Sequence, residues 1–524
     1  MNDALLPSEP RAAALVRPTV GSLPPSSRNA TREAGRQHDL AFTLTVALVA
    51  LLPRLFVAIA WAREPVWDGH YYHFGAERIA AGLGYSEDVI LNGQIVWKPW
   101  VHYPVGYSAL LGLVYRVFGS GLSVAPITNA VLGALLAVAS HRLGRYYLSR
   151  NRARIAAALV ALHPGLIAYS AVVMNEICAS LLLVCAALAA VRWRRSWSGP
   201  LLGGVLLGLG ILVRPSTLLA APLLAFMQSR AWWSAALRGL AATAVAIVIV
   251  LPWTARNCRT LDACTFVSTN AGWNLAIGAL TETGRFRTLR AADGCPIVTG
   301  QVQQDRCWRK IGIAIIERDV GAWLALIPRK LGQTFDHESF AIEYLREADP
   351  VSWPEHRRIA ARHLLTLLHR LLLVAAALGV VARGWQARDR SGRIAQLATL
   401  GLIGLLAILG FALDEHPFFP LAVLIPIIAL ARLPGRPQQG AVGAFLVGVL
   451  ATTVLVHAVF FGDDRYHIVV APILCLLAAA ALRAPIRAKP TTQAGGSLPG
   501  VSPEPPGRTP SPAGAQVVAM QMVR

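Results

Sequence analysis

Of 524 residues, 55% are hydrophobic and only 15% charged, and the apolar residues run in long unbroken stretches, which excludes an ordinary soluble domain. A formal net charge of +21 would suit nucleic acid if it formed one basic face, but the arginines stand in short clusters between apolar runs, as in the cytoplasmic loops of a polytopic membrane protein. No cytoplasmic segment is long enough to fold as a soluble nucleotide-sugar domain, and none carries a phosphate-binding glycine loop.

Residues 1–38 are rich in Pro, Ser, Arg and Ala and lack the apolar core and cleavage site of a signal peptide. They read as a disordered cytoplasmic tail. An N-terminal transmembrane module is expected over 39–255. Its first span, Ala41 to Ala62, carries Arg54 beside Pro53 in mid-run. A charge so placed needs an internal partner, and pairing with an acid is the expected solution. The first outer loop, 63–122, opens with Trp67, Asp68, Gly69, His70, Tyr71 and Tyr72, which puts an acid at the membrane surface. The cluster Lys98, Pro99, Trp100, Val101, His102, Tyr103, Pro104 then precedes a 14-residue apolar helix ending at Phe118-Gly119. That helix is too short to cross and is expected to lie in the interface.

Further along, His163, Pro164, Tyr169, Ser170 and Asn175 lead to Glu176, between two apolar helices with almost no loop. An ionisable group inside a span costs about 2.5–3.5 kcal/mol, so Glu176 should face a cavity or a partner. Arg214, before Pro215, and Arg256, after Pro252, Trp253 and Thr254, stand at outer helix ends. Both are candidates to bind a phosphate.

A large outer loop, 256–357, holds four of the seven cysteines, Cys258, Cys264, Cys295 and Cys307. Two disulfides in an oxidising compartment fit this set, with three pairings open. C-terminal transmembrane helices (358–484) and a second disordered cytoplasmic tail (485–524) complete the chain. Arginine clusters at 11–36, 142–154, 192–195, 230/238, 383–393, 432/436 and 483–489 are each expected in the cytoplasm, with two crossings between successive clusters. That makes twelve spans with both termini cytoplasmic, in the inner (plasma) membrane.

The order of these features resembles the GT-C glycosyltransferases, specifically the protein mannosyltransferase and lipid A aminoarabinose transferase family (glycosyltransferase family 39-like). The resemblance is carried by Asp68 with Tyr71, the glycine-rich helix exit Gly82/Gly84, the helix from Tyr103 to Gly119, and Pro164, Tyr169 and Glu176. It continues through Gly208 to Pro215, Pro252-Trp253 with Arg256-Asn257, Val267 to Gly278, and Arg465-Tyr466 opening the last span. It implies an all-α polytopic membrane protein of about twelve transmembrane helices in a GT-C-type arrangement, with two large outer-face loops carrying interfacial helices. The implied reaction is inverting transfer of a sugar from a polyprenyl-phosphate donor to a hydroxyl of a lipid, glycan or protein acceptor on the outer face. Asp68 would be the general base, and Glu176 would orient the acceptor or assist Asp68 in catalysis. Lys98, Arg214 and Arg256 would hold the donor phosphate, and Tyr71, His102, Tyr103, Asn270, Asn274, Arg465 and Tyr466 would contact substrate. No metal or other cofactor is expected. Two departures stand out: Gly69 replaces the second acid of the usual Asp-Glu pair, and His102-Tyr103-Pro104 replaces a Pro-Pro pair. A lipid-linked glycan transporter or flippase shares the spans and buried charges, but no internal repeat is visible. A non-catalytic assembly subunit would make the outer loops binding surfaces.

Overall fold

The computed structural model describes residues 25–227, 231–296, 300–384, 390–412, 419–429 and 437–482. Helix α1 (Pro25–Ala60) leads into α2 (Trp67–Ala80), a hairpin of β1 (Ser86–Leu91) and β2 (Gln94–Pro99), and α3 (Val105–Phe118). Next come α4 (Val124–Tyr147), α5 (Arg150–Ala161), α6 (Pro164–Ala168), α7 (Glu176–Arg192), α8 (Ser198–Val213), two 3-10 turns (Pro215–Ala220, Pro222–Met227) and α9 (Trp232–Thr260). The segment after α9 contains α10 (Ala271–Leu280), α11 (Gln301–Arg318), α12 (Val320–Ala325), α13 (Ile327–Phe335) and α14 (Phe340–Ala348). Helices α15 (Glu355–Gly384), α16 (Arg390–Ala412), α17 (Phe419–Ala429) and α18 (Pro437–Val459) follow, and a 3-10 turn (Asp464–Val470) runs into α19 (Ala471–Ala481).

Among the described residues seven helical stretches are long and apolar enough to cross a membrane: Asp39–Ala60, Val124–Tyr147, Trp232–Thr260, Glu355–Val381, Arg390–Leu409, Gly440–Val459 and Asp464–Ala481. The count of twelve expected from the arginine clusters therefore exceeds what helix length alone supports. The difference lies in shorter apolar pieces such as α8, the Pro215–Met227 turns and α17. The chain is also not purely helical. Asn92 and Gly93, both at positive φ (52° and 76°), turn β1 back on β2 in antiparallel register, Leu91 opposite Gln94 and Ser86 opposite Pro99. Asn-Gly between β-branched residues is a strong two-residue hairpin signal, and the all-α reading passed over it. The last part of the expected disordered tail, from Pro25, belongs to α1. Arg230, Arg388, Arg432, Arg436, Arg483, Arg487 and Lys489 lie outside the described residues, as do residues 1–24 and 483–524.

The core is alanine-rich. Ala130, Ala134 and Ala137 of α4, Ala186, Ala187 and Ala190 of α7, and nearly every residue of α19 are buried. Small side chains allow the helix backbones to approach closely where dispersion, not the exclusion of water, holds apolar helices together. Arg54 is fully buried within this packing, and no acid among the described residues pairs with it. Its Nη1 donates to the carbonyls of Ala50 (2.8 Å) and Ala161 (2.5 Å), and its Nη2 to Val160 (2.9 Å). The last carbonyls of α5 lack intrahelical donors and carry the negative end of its dipole, so they serve in place of a carboxylate.

The two ends of the bundle differ in charge. Asp39, at the start of the apolar part of α1, accepts from Arg145 (3.1 Å) and Arg150 (2.7 Å), whereas α2 with Asp68 follows the far end of that helix. At this second end the segment after α1 and the segment after α9 are joined. Thr269 N–H donates to the Val101 carbonyl (3.0 Å), and the Gln301 side chain brackets the Val101 N–H and the Pro99 carbonyl (3.0 and 2.8 Å). The disulfides Cys258–Cys264 and Cys295–Cys307 staple the large segment internally, which settles the open pairing.

Candidate active site

Asp68 is the second residue of α2, where an acid is favoured by the helix dipole. Its Oδ1 accepts a hydrogen bond from the Tyr103 hydroxyl (2.6 Å), and its Oδ2 faces Arg465 Nη1 in a close ion pair. Burial alone would raise its pKa, but the Arg465 charge and the Tyr103 hydrogen bond outweigh that and hold the carboxyl below its ordinary range. Asp68 is thus an anion at neutral pH, with its orientation fixed through both oxygens. The backbone entering this site is strained: Trp67 has φ 49°, a conformation that costs a bulky residue about 1–3 kcal/mol. It is held by Tyr344, whose hydroxyl accepts the Val66 N–H (3.2 Å) and whose ring meets the Trp67 indole edge-on. The same hydroxyl explains Gly69. A Cβ there would lie 2.3 Å from Tyr344 Oη and 3.0 Å from the Val173 carbonyl, so no second acid fits beside Asp68.

Glu176 begins α7 and is buried. Its Oε1 accepts from Arg214 Nη1 (3.1 Å), which also donates to Asn175 Oδ1 (3.3 Å), while its Oε2 has no hydrogen-bond partner. Asn175 in turn donates to the Tyr72 hydroxyl (2.8 Å) and the Val213 carbonyl (3.2 Å). Arg214 leaves α8 in an extended conformation (φ −150°, ψ 106°) forced by the following proline, which turns its guanidinium over the Tyr466 ring (4.9 Å). Arg465 lies over the same ring (5.0 Å) and donates to the Tyr466 hydroxyl (3.2 Å).

Two cavities meet at Asp68. One, of about 460 Å³, is lined by Asp68, His102, Tyr103, Glu176, Arg214, Asn270, Asn274, Arg465 and Tyr466, with Leu219, Ile277, Val456, Phe460 and Phe461 supplying apolar walls. The other, of about 710 Å³, is lined by Trp67, Asp68, Tyr71, Arg285, Phe340, Glu343, Arg358, Arg362, Asp463 and Arg465. The ion pair Asp68–Arg465 belongs to both. Burial pushes His102 down to about 4 against the pull of Asp68, so its ring is neutral. Burial pushes Asp463 up to about 7 even though Arg465 opposes the shift.

Nine of the twelve residues singled out in the sequence therefore line the first cavity, and Tyr71 lines the second, stacked on Trp100 at 5.5 Å. Lys98 and Arg256 line neither. Lys98 is exposed on β2 opposite Glu87. Arg256 donates to the carbonyls of Tyr85 (2.6 Å) and Trp100 (3.4 Å) and lies over the Trp253 ring, so it props the hairpin segment on α9. Sequence reasoning missed Tyr344 and Phe340, and it quoted Tyr72 without giving it a role. Neither Tyr344 nor Phe340 lies in a pattern that marks it before the chain is folded. Asp463, beside Arg465, was not singled out as a site residue.

These features define a multi-pass integral membrane protein with a charged, two-chambered site at one end of its helices. Residues 102–255 match the family model described as dolichyl-phosphate-mannose-protein mannosyltransferase, so the resemblance to that family is carried by the stretch from His102 through Arg214 to the end of α9. No curated protein matches the chain. Among solved structures, the Archaeoglobus fulgidus oligosaccharyltransferase is similar in its apo form (17% identity, TM-score 0.39, covering 84% of this chain and 56% of that one). It is also similar tethered to an acceptor peptide containing the NVT sequon (16%, 0.38, 84% and 49%) and in complex with an inhibitory peptide and a dolichol-phosphate (16%, 0.38, 84% and 50%). The chain spans about half the length of these structures.

Proposed function

We propose that the protein transfers a sugar, with inversion, from a polyprenyl-phosphate donor to an acceptor hydroxyl at the outer face of the membrane, with Asp68 as general base. The observation that carries this reading is the position of Asp68 in the wall common to both cavities, ionised and aimed by Tyr103 and Arg465. In the first cavity, Arg214 and Arg465 offer cationic donors to a phosphate while the apolar side chains of α18, Leu219 and Ile277 suit an isoprenoid chain. The second cavity would seat the acceptor, whose hydroxyl reaches Asp68 from the side opposite the leaving phosphate, as inversion requires. Asp68 takes the hydroxyl proton as the glycosidic bond to phosphate lengthens. The arginines stabilise the charge that grows on the leaving oxygen. Neutral His102, Asn270 and Asn274 would hydrogen-bond sugar hydroxyls, and the partnerless Oε2 of Glu176 would accept one more. In this reading the shorter helices complete twelve passes, the arginine-rich ends and both termini face the cytoplasm, and the site faces outward. A transporter site belongs near mid-membrane, whereas Asp68, Glu176 and Arg214 all stand at helix ends.

The test is label transfer from a panel of polyprenyl-phosphate sugars to membrane acceptors, with wild type and Asp68→Asn at equal folded abundance. The expected loss is about 10²–10⁴-fold. Equal incorporation by the variant would remove Asp68 as the base. A folded wild type inactive with every donor would overturn transfer itself.

A further inference from the structure

Apart from both cavities, three buried groups converge from distant parts of the chain: Glu338 between α13 and α14, His369 in α15, and His467 in the 3-10 turn before α19. Their tautomers are fixed by the backbone. His369 Nε2 lies 2.8 Å from the Phe335 carbonyl and His467 Nδ1 lies 2.7 Å from the Thr334 carbonyl. A carbonyl can only accept, so each of these nitrogens carries its proton. The lone pairs of His369 Nδ1 and His467 Nε2 are then left facing the same carboxylate oxygen, Glu338 Oε2, at 3.8 and 3.2 Å. Glu338 Oε1 and His369 Nδ1 have no hydrogen-bond partner. Three electron-rich atoms thus meet in a buried place. One proton could relieve the contact between Glu338 and His467, but His369 Nδ1 would stay orphaned, and leaving such a group buried and unpaired costs about 1–3 kcal/mol.

A divalent cation relieves all three at once. We propose that Glu338, His369 and His467 bind a zinc ion. The donor set of two imidazoles and a carboxylate suits zinc. Bond lengths of about 2.0–2.2 Å in a tetrahedron place ligand atoms about 3.3 Å apart, and the three donor atoms already lie within 4.8 Å of one another. Imidazoles that donate their second nitrogen to a backbone carbonyl are in the orientation of metal-binding histidines. The carboxylate also sits in a dedicated recess. A Cβ on Gly165 would lie 1.6 Å from Glu338 Oε1, so only glycine leaves room for the acid. The ion would clamp the outer segment, α15 and the last pass together two residues from Arg465, acting as a structural fastener rather than as part of the transfer chemistry.

The test is elemental analysis of the full-length protein in detergent, loaded with zinc and freed of excess by dialysis. Wild type should retain about one zinc per chain, and melting should shift upward with zinc. Glu338→Gln and His369→Gln should lose both, while His356→Gln, on the surface, should keep both. Glu338→Gln also guards against misfolding, because its amide can donate to His467 Nε2 and would leave a metal-free network intact. Folded wild type without zinc, or zinc retained by Glu338→Gln at the wild-type level, would overturn the site. Neither readout depends on transfer activity.

Discussion

Gly69 shows how one residue that departs from a family pattern can be explained by its neighbour. The Tyr344 hydroxyl occupies the space a side chain would need and at the same time holds the strained turn at Trp67. Gly69→Ala is therefore expected to destabilise the protein by about 1–3 kcal/mol through overpacking. Adding Tyr344→Phe should recover part of the loss in the same melting experiment, since the offending oxygen is gone. Asp463 gives a pH signature. Its carboxyl is raised in the fold to about 7 from an ordinary value of 3.8, so between those pH values the folded state holds a proton that the unfolded chain has released. Stability should fall as pH rises through that window, and Asp463→Asn should flatten the fall. An unchanged profile in the variant would assign the effect elsewhere. The charged residues of the first cavity were legible in the sequence because each interrupts or bounds an apolar run, where an ionisable group needs a reason. Arg256 and Lys98 were equally visible but stand outside the cavities. Spacing along a chain does not reveal that a guanidinium is turned onto the carbonyls of Tyr85 and Trp100.

At the scale of elements, helix ends organise much of the polar structure. Arg54 answers the carbonyls at the end of α5, and Lys330 Nζ lies 3.2 and 3.4 Å from the last carbonyls of α18. The sequence indicated that Arg54 needed a partner, and an acid was the natural candidate. A helix terminus is invisible as a counter-charge until its direction in space is known. Arg54→Met should leave the Val160 and Ala161 carbonyls without a donor at a cost of about 1–3 kcal/mol each. A melting temperature in detergent lower by several degrees would show this, and an unchanged one would mean that other donors replace the guanidinium. The hairpin was legible and overlooked, because apolar periodicity dominates the reading of a chain this hydrophobic. Glu338, His369 and His467 could not have been grouped in advance, since they lie in three separate segments and the ligand-type neighbours of each, such as Asp336 and His337 beside Glu338 or Asp464 before His467, gave no spacing that singles out these three.

For the whole molecule, the polar site gathers at one end of the bundle and the ion pairs of Asp39 with Arg145 and Arg150 at the other. In the proposed orientation, a cysteine introduced at Ser196 should react with a membrane-impermeant maleimide only after the cell is opened. One placed at Thr283 should react in intact cells, once an outer membrane, if present, is made permeable. The reverse pattern would invert the molecule and remove the outer-face assignment. The wall formed by Asp68 and Arg465 also bears on the order of events. With a chamber on each side, the proposed donor and acceptor need not share one seat in turn, and both can be present when the sugar moves. Initial rates measured against each substrate at several fixed levels of the other should then give intersecting double-reciprocal lines. Parallel lines would instead indicate a sugar parked on the protein between two half-reactions, for which one chamber would suffice.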